Sequence, residues 1–188
     1  MSSILKVDQI QLSNGNTPTA GDLGLNTTGS VLQVKQAVKT DTFSTTSASF
    51  VSVPNLSVTI TPASSSSKFL IIGCISLSST HYAWHCGLFQ DGTEIGLAGA
   101  ANLRPRSLFG GMADDVTQEA HGLITNMTRE LLVSPNTTNA ITFDIRAARR
   151  FDNEQTPTTY INRSVPDRDT STYDQRCIST LTVKEIAG

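Results

Sequence analysis

Two short segments set the period of this chain at two. Leu56, Val58 and Ile60 alternate with Ser57, Thr59 and Thr61, and Ile141, Phe143 and Ile145 alternate with Thr142, Asp144 and Arg146. Successive side chains of a strand point to opposite faces, so each segment reads as a strand with one buried face and one wet face. The composition supports the same reading. Ser and Thr make up roughly a quarter of the 188 residues, and charged residues only 16%, against about 25% in an average soluble domain. Lys and Glu are scarce, and they are the residues that surface helices favour.

Other segments fit between these two. Val31 to Val38 and Phe50 to Val53 are strand candidates, and Pro62 stops the strand that ends at Ile60. Phe69 to Leu77, interrupted by Gly73, is mostly apolar and too short for a confident helix, which predicts a central strand covered on both faces. Tyr82 to Phe89 leads into Asp91-Gly92, a pair that supplies the positive φ angles of a tight type I′ turn, so Phe89 and Ile95 are expected on two arms of one hairpin. Between Val116 and Leu131 the apolar residues fall at helical spacing, yet Gly122, Thr125 and Thr128 oppose a helix. A strand from about Gly122 to Val133 is the reading adopted, and Asp114 to Ala120 stays open. Residues 151 to 158 read as a polar loop, Thr159 to Asn162 as a short strand, Ser164 to Arg176 as a long loop, and Ile178 to Ile186 as the closing strand. About eight strands at this spacing predict an all-β fold, a two-sheet antiparallel sandwich of jelly-roll type.

Residues 1 to 35 differ from residues 36 to 188. Ile4, Leu5, Val7 and Ile10 form a short apolar segment, followed by a stretch rich in Gly, Asn, Thr and Pro. One short strand cannot satisfy its own edges, so the segment is expected to be an anchoring arm that docks on a sister subunit or another protein. The bland alternative is an arm folded back on its own domain.

Net charge is -2 and the isoelectric point about 5.9, which gives no overall footprint for nucleic acid or an anionic membrane. Arg146, Arg149 and Arg150 form a local basic cluster, read as a salt-bridged strand end because Asp144, Asp152 and Glu154 flank it, with polyanion binding as the alternative. The three cysteines, Cys74, Cys86 and Cys177, lack metal-ligand spacing and read as small buried thiols of a protein folded in a reducing cytoplasm, with one Cys pair as the alternative. No secretory leader pattern and no apolar stretch long enough to span a bilayer occurs in the sequence.

His81 and His85 lie four apart in HYAWHC, which on a strand separates them by roughly 13 Å, too far to share one metal. No nucleophile elbow, zinc-protease motif, phosphate loop or dinucleotide fingerprint is present. The expectation is therefore no enzyme, no metal and no cofactor. Tyr82, Trp84, Tyr160 and Tyr173 are the aromatic candidates for sugar contact, with Trp84 expected to be buried.

TYINRSVPDRDTSTYDQRCISTLTVKEIAG (Thr159 to Gly188), ITPASSSSKFLII (Ile60 to Ile72), FQDGTEIG (Phe89 to Gly96) and LVSPNTTNAITF (Leu132 to Phe143) together resemble small virion proteins of tailed bacteriophages, of the tail-fibre and tip type found in marine and freshwater phages. The resemblance covers most of residues 36 to 188 and the opening SSILKVDQIQ. It rests on turns and strand edges. It implies a structural virion protein, most readily a homotrimeric tail-fibre or tail-tip subunit that joins other virion proteins through its N-terminal arm and contributes to attachment to a host surface glycan or protein. A capsid decoration or head-fibre protein is the alternative, and a carbohydrate-binding module a second one. Host contact is expected on the long loop, at Asp167, Arg168, Asp169 and Tyr173, which combine both charges with an aromatic face. Neither nucleic acid nor membrane insertion is expected.

Overall fold

The computed structural model of this chain describes residues 9–19, 21–24, 28–80, 83–100, 102–112, 123–150, 157–170, 172 and 174–188. Among them the regular structure is entirely β, in eleven strands. In chain order these are β1 (Val31–Lys39), β2 (Phe43–Thr45), β3 (Val51–Ile60), β4 (Lys68–Ser79), β5 (Ala83–Gln90), β6 (Thr93–Ile95), β7 (Phe109–Met112), β8 (Thr125–Val133), β9 (Ile141–Arg149), β10 (Thr159–Ile161) and β11 (Ser179–Ile186).

Every pairing between these strands is antiparallel. In the first sheet β11 pairs with Lys68–Cys74 of β4 and β10 with Leu77–Ser79 of the same strand, while β8 lies along its opposite edge. β1 then pairs with β11, and β2 with β10. In the second sheet β9 joins β3 to β5, and the far edge of β5 takes β6 and β7 end to end. Several strands are thus collinear halves, which is why eleven occupy about the eight positions that the sequence predicts. Numbering those positions along the chain gives the orders 1-8-3-6 and 2-7-4-5, the two interlocked Greek keys of a jelly roll.

The inward residues of both sheets form one core, built from Leu56, Val58 and Ile60 of β3, Phe69, Ile71, Ile75 and Leu77 of β4, Ile141, Phe143 and Ile145 of β9, and Leu181 and Val183 of β11. Each such side chain contributes about 1.5–3 kcal/mol relative to leaving it exposed. Phe50 to Val53 and Leu56 to Ile60, expected as separate candidates, belong to one strand with a bulge between Ser52 and Ser57. Asn55 takes a positive φ of 65° there, and the extra residues let both Val53 and Leu56 turn inward. The hairpin at Asp91-Gly92 forms with φ angles of 48° and 84°, those of a type I′ turn. In the segment of ambiguous period Thr125–Val133 is a strand, and Asp114 to Gly122 lie outside the described residues.

One expectation is overturned. β4 is central, but it is covered on its inner face only. Its outward Leu70, Ile72 and Cys74 are half-buried, because no third layer lies over that sheet among the described residues. At the N-terminal end, Val31 to Lys35 pair with β11 and so form part of the sheet. Gly29 donates to the Ala187 carbonyl at 2.8 Å, and the Ala187 amide donates back to Ser30 at 2.9 Å.

Candidate functional site

The loop between β10 and β11 is held at its base by Asn162, which is fully buried. Its side-chain Nδ2 donates to the carbonyls of Lys39 and Asp41, both at 2.9 Å, and its Oδ1 accepts from Ser179 Oγ at 2.6 Å. The Cys177 amide donates to the Asn162 carbonyl at 3.2 Å and closes the neck. The φ of Asn162 is 64°, a left-handed conformation that Asn tolerates better than most residues.

Beyond that neck, Asp174 organises the loop. Its carboxylate accepts from Ser164 Oγ at 2.7 Å, from the Arg168 amide at 3.0 Å and from Arg168 Nε at 2.5 Å. The side chain has no exposed surface. The Arg168 guanidinium, helped by Ser164, holds this carboxyl down at about 2, against an opposing contribution from burial. Asp167 is the second centre, 2.8 Å from Arg176 and 3.4 Å from Arg163. Arg163 also donates to the carbonyls of Ser164 and Val165 and lies over the Tyr160 ring at 4.5 Å.

Asp167, Arg168 and Asp169 therefore come together around one open cavity of about 590 Å³, also lined by Thr170, Thr172, Asp174, Gln175 and Arg176. Tyr173 lies outside the described residues. Asp167 and Arg168 are engaged inside the loop, whereas Asp169 is exposed and has no partner among the described residues. With Asp167, Arg168, Asp174 and Arg176 paired within the loop and Asp169 adding a carboxylate unpartnered among the described residues, this cavity suits a hydroxyl-rich ligand better than an anionic one. Sequence reasoning missed the organising roles of Ser164 and Asp174. The available signal was a serine and an aspartate at opposite ends of a Pro-containing loop, residue types that bond readily to nearby backbone.

The arm is described in part. Ile4, Leu5 and Val7 lie outside the described residues, and Ile10 is 50% exposed. Of residues 9–19, all but Leu12 and Pro18 are exposed.

The other singled-out residues have structural surroundings. Trp84 is buried in the core. The His85 ring lies 4.6 Å from that of Phe50, tilted by 53°, and its Nε2 is 3.2 Å from the Arg106 carbonyl; burial lowers its pKa. His81, His121 and Tyr82 lie outside the described residues. The three cysteines are free, with Cys86 buried and its thiol pushed up by that burial, and Cys74 and Cys177 half-buried. Among the described residues no group of three or more His, Cys, Asp or Glu is placed to hold a metal, and no helix is long and apolar enough to cross a membrane. Arg146 pairs with Asp144 at 2.7 Å and covers the Phe89 ring at 4.3 Å, as a salt-bridged strand residue should. Arg150 forms no ion pair among the described residues, and Asp152 and Glu154 lie outside them.

The sequence matches no protein-family model and no curated protein.

Proposed function

We propose that this chain is a non-enzymatic structural subunit of a tailed-phage virion, a homotrimeric tail-fibre or tail-tip protein whose jelly roll presents loops to the host surface and whose N-terminal arm anchors it. The observation that carries the reading is the outer face of the β1-β11-β4-β8 sheet. Pairing brings Leu132, Leu70, Lys184 and Val34 into one outward row, Glu130, Ile72, Thr182 and Gln36 into the next, and Thr128, Cys74, Thr180 and Val38 into the one after, so that apolar side chains alternate with polar ones across this face. Val34 is 56% and Leu132 54% exposed. The other sheet turns Ser57, Thr59, Thr142 and the Asp144–Arg146 pair outward instead.

A face that leaves Val34, Val38 and Leu132 exposed on one sheet alone suits a repeated subunit better than a solitary binding module. Its charges suit a ring of copies: Glu130 stands on the β8 edge and Lys184 toward the β1 edge, and neither forms an ion pair among the described residues. Head-to-tail packing about an axis sets one against the other in the next copy. The exposed arm then serves another virion protein, and the polar cavity under Ser164–Arg176 serves contact with host glycans, where several weak contacts gain from avidity.

Electron microscopy of particles labelled with an antibody to this chain tests the reading. Label at the tail supports it. Label on the head favours the decoration or head-fibre alternative, and unlabelled particles remove the virion role altogether.

A further inference from the structure

A second cleft, of about 580 Å³, opens between the two sheets where the β7 edge faces β8. Three guanidinium groups line it from three separate parts of the chain: Arg106 from the segment before β7, Arg129 from β8 and Arg150 from the end of β9. Arg106 donates to the Ala98 carbonyl at a long 3.5 Å, and Arg129 donates to the carbonyl of its neighbour Thr128 at 2.9 Å. Arg150 makes no hydrogen bond or ion pair among the described residues. None of the three meets a carboxylate within ion-pair distance there. Glu94 feels the charge of Arg106 but packs against Gly87 and is not among the described lining residues.

Two glycines of the wall let their neighbours pack close. A Cβ on Gly111 would lie 2.6 Å from the Trp84 indole, and one on Gly110 2.6 Å from Ser107 Oγ. Trp84 Nε1 is a buried donor with no partner among the described residues, set against this glycine. β7 is an edge strand whose second backbone edge pairs with no other described strand. Among the described residues nothing offsets the mutual repulsion of these three like charges at a sheet edge. An oxyanion in the cleft would turn that repulsion into charge-assisted hydrogen bonds, for which the planar guanidinium fork is suited. The volume falls within the range of about 300–1,000 Å³ typical of small-ligand sites.

We propose that this cleft binds an acidic saccharide, one bearing a carboxylate, sulfate or phosphate group, through Arg106, Arg129 and Arg150. That the anion is carried on a sugar rests on the attachment reading above; that the ligand is an oxyanion rests on the three arginines alone. The site differs from the cavity under Ser164–Arg176, whose charges apart from Asp169 are mutually paired, so the two would divide acidic from neutral parts of a surface glycan.

The test is calorimetric titration of the full chain with a sulfated disaccharide, a uronate disaccharide, a sugar phosphate, a neutral disaccharide, inorganic phosphate and a short acidic peptide. The expected result is that at least one acidic sugar binds, more tightly than inorganic phosphate or the peptide, while the neutral sugar is not held here. Loss of one charge-assisted contact should weaken binding by about tenfold or more, so R106Q and R150Q should each do so and the double variant should abolish it, with melting unchanged. D169N, in the other cavity, should leave acidic-sugar binding intact. Absence of binding by every acidic sugar, or binding that survives in the double variant, overturns the site. Tighter binding of the peptide overturns the saccharide assignment. Labelling of particles decides attachment independently, so acidic-sugar binding by a chain absent from the virion would sink that reading and leave the site standing.

Discussion

Phe109 of β7 fills, from the opposite sheet, the space that Gly73 of β4 leaves empty. A Cβ at position 73 would come within 2.7 Å of the ring's Cζ. Phe109 is 1% exposed, so its ring has little room to retreat. The glycine that interrupts an otherwise apolar strand is therefore the socket that registers one sheet on the other.

Gly73→Ala should accordingly destabilise the domain by about 1–3 kcal/mol, the usual range for overpacking a closed core. Denaturant unfolding checks the magnitude. Adding Phe109→Leu should recover part of the loss, since the smaller side chain withdraws from the new methyl. If the two substitutions are simply additive, the socket is not the cause.

The order of the Ser164–Arg176 loop should depend on the ionised carboxylate of Asp174. Its pKa is depressed to about 2, so its contribution is fully present above the ordinary carboxyl value of about 4 and is lost as pH falls through the folded value. The Arg168 amide, bonded to this carboxylate, should stay protected from hydrogen exchange at pH 4 and lose protection as the pH approaches 2. Asp174→Asn should show the open loop already at neutral pH. Protection in that variant equal to wild type would mean that the backbone neck at Asn162 suffices.

The alternating segments of β3 and β9 were legible because Leu56, Val58 and Ile60, and Ile141, Phe143 and Ile145, turn into the core while their polar neighbours turn away from it. β8 was harder for a physical reason. Met127 and Leu131 are four residues apart, a spacing that places two side chains on one face of a helix and also on one face of a strand, and only pairing along nine residues of β4 decides between them. The two-sided cover expected for β4 failed because apolar composition reports what a face tolerates, not whether a second layer is supplied by the same chain. Among the site residues, Asp167, Arg168 and Asp169 were recognisable from a polar loop. The arginine cleft was not, since Arg106, Arg129 and Arg150 meet only through the placing of β7, β8 and β9, whereas the adjacent Arg146, Arg149 and Arg150 that stand out in the sequence are not gathered at one site.

Removing residues 1–28 should leave a folded sandwich, because Gly29 and Ser30 retain their hydrogen bonds to Ala187. Circular dichroism should remain that of a β protein and the melting temperature should change little. Under the proposed function the truncated chain should no longer be incorporated into particles. Normal incorporation would show that the arm is not the anchor.

The most direct test of a repeated subunit closed over the face that exposes Val34 and Leu132 is the mass of the purified chain in solution. Sedimentation equilibrium at micromolar concentration should give three times the 20.1 kDa chain mass, and the double variant Val34→Glu/Leu132→Glu should fall to a folded monomer. A wild-type chain that sediments as a monomer, or a double variant that keeps the wild-type mass, would contradict the account.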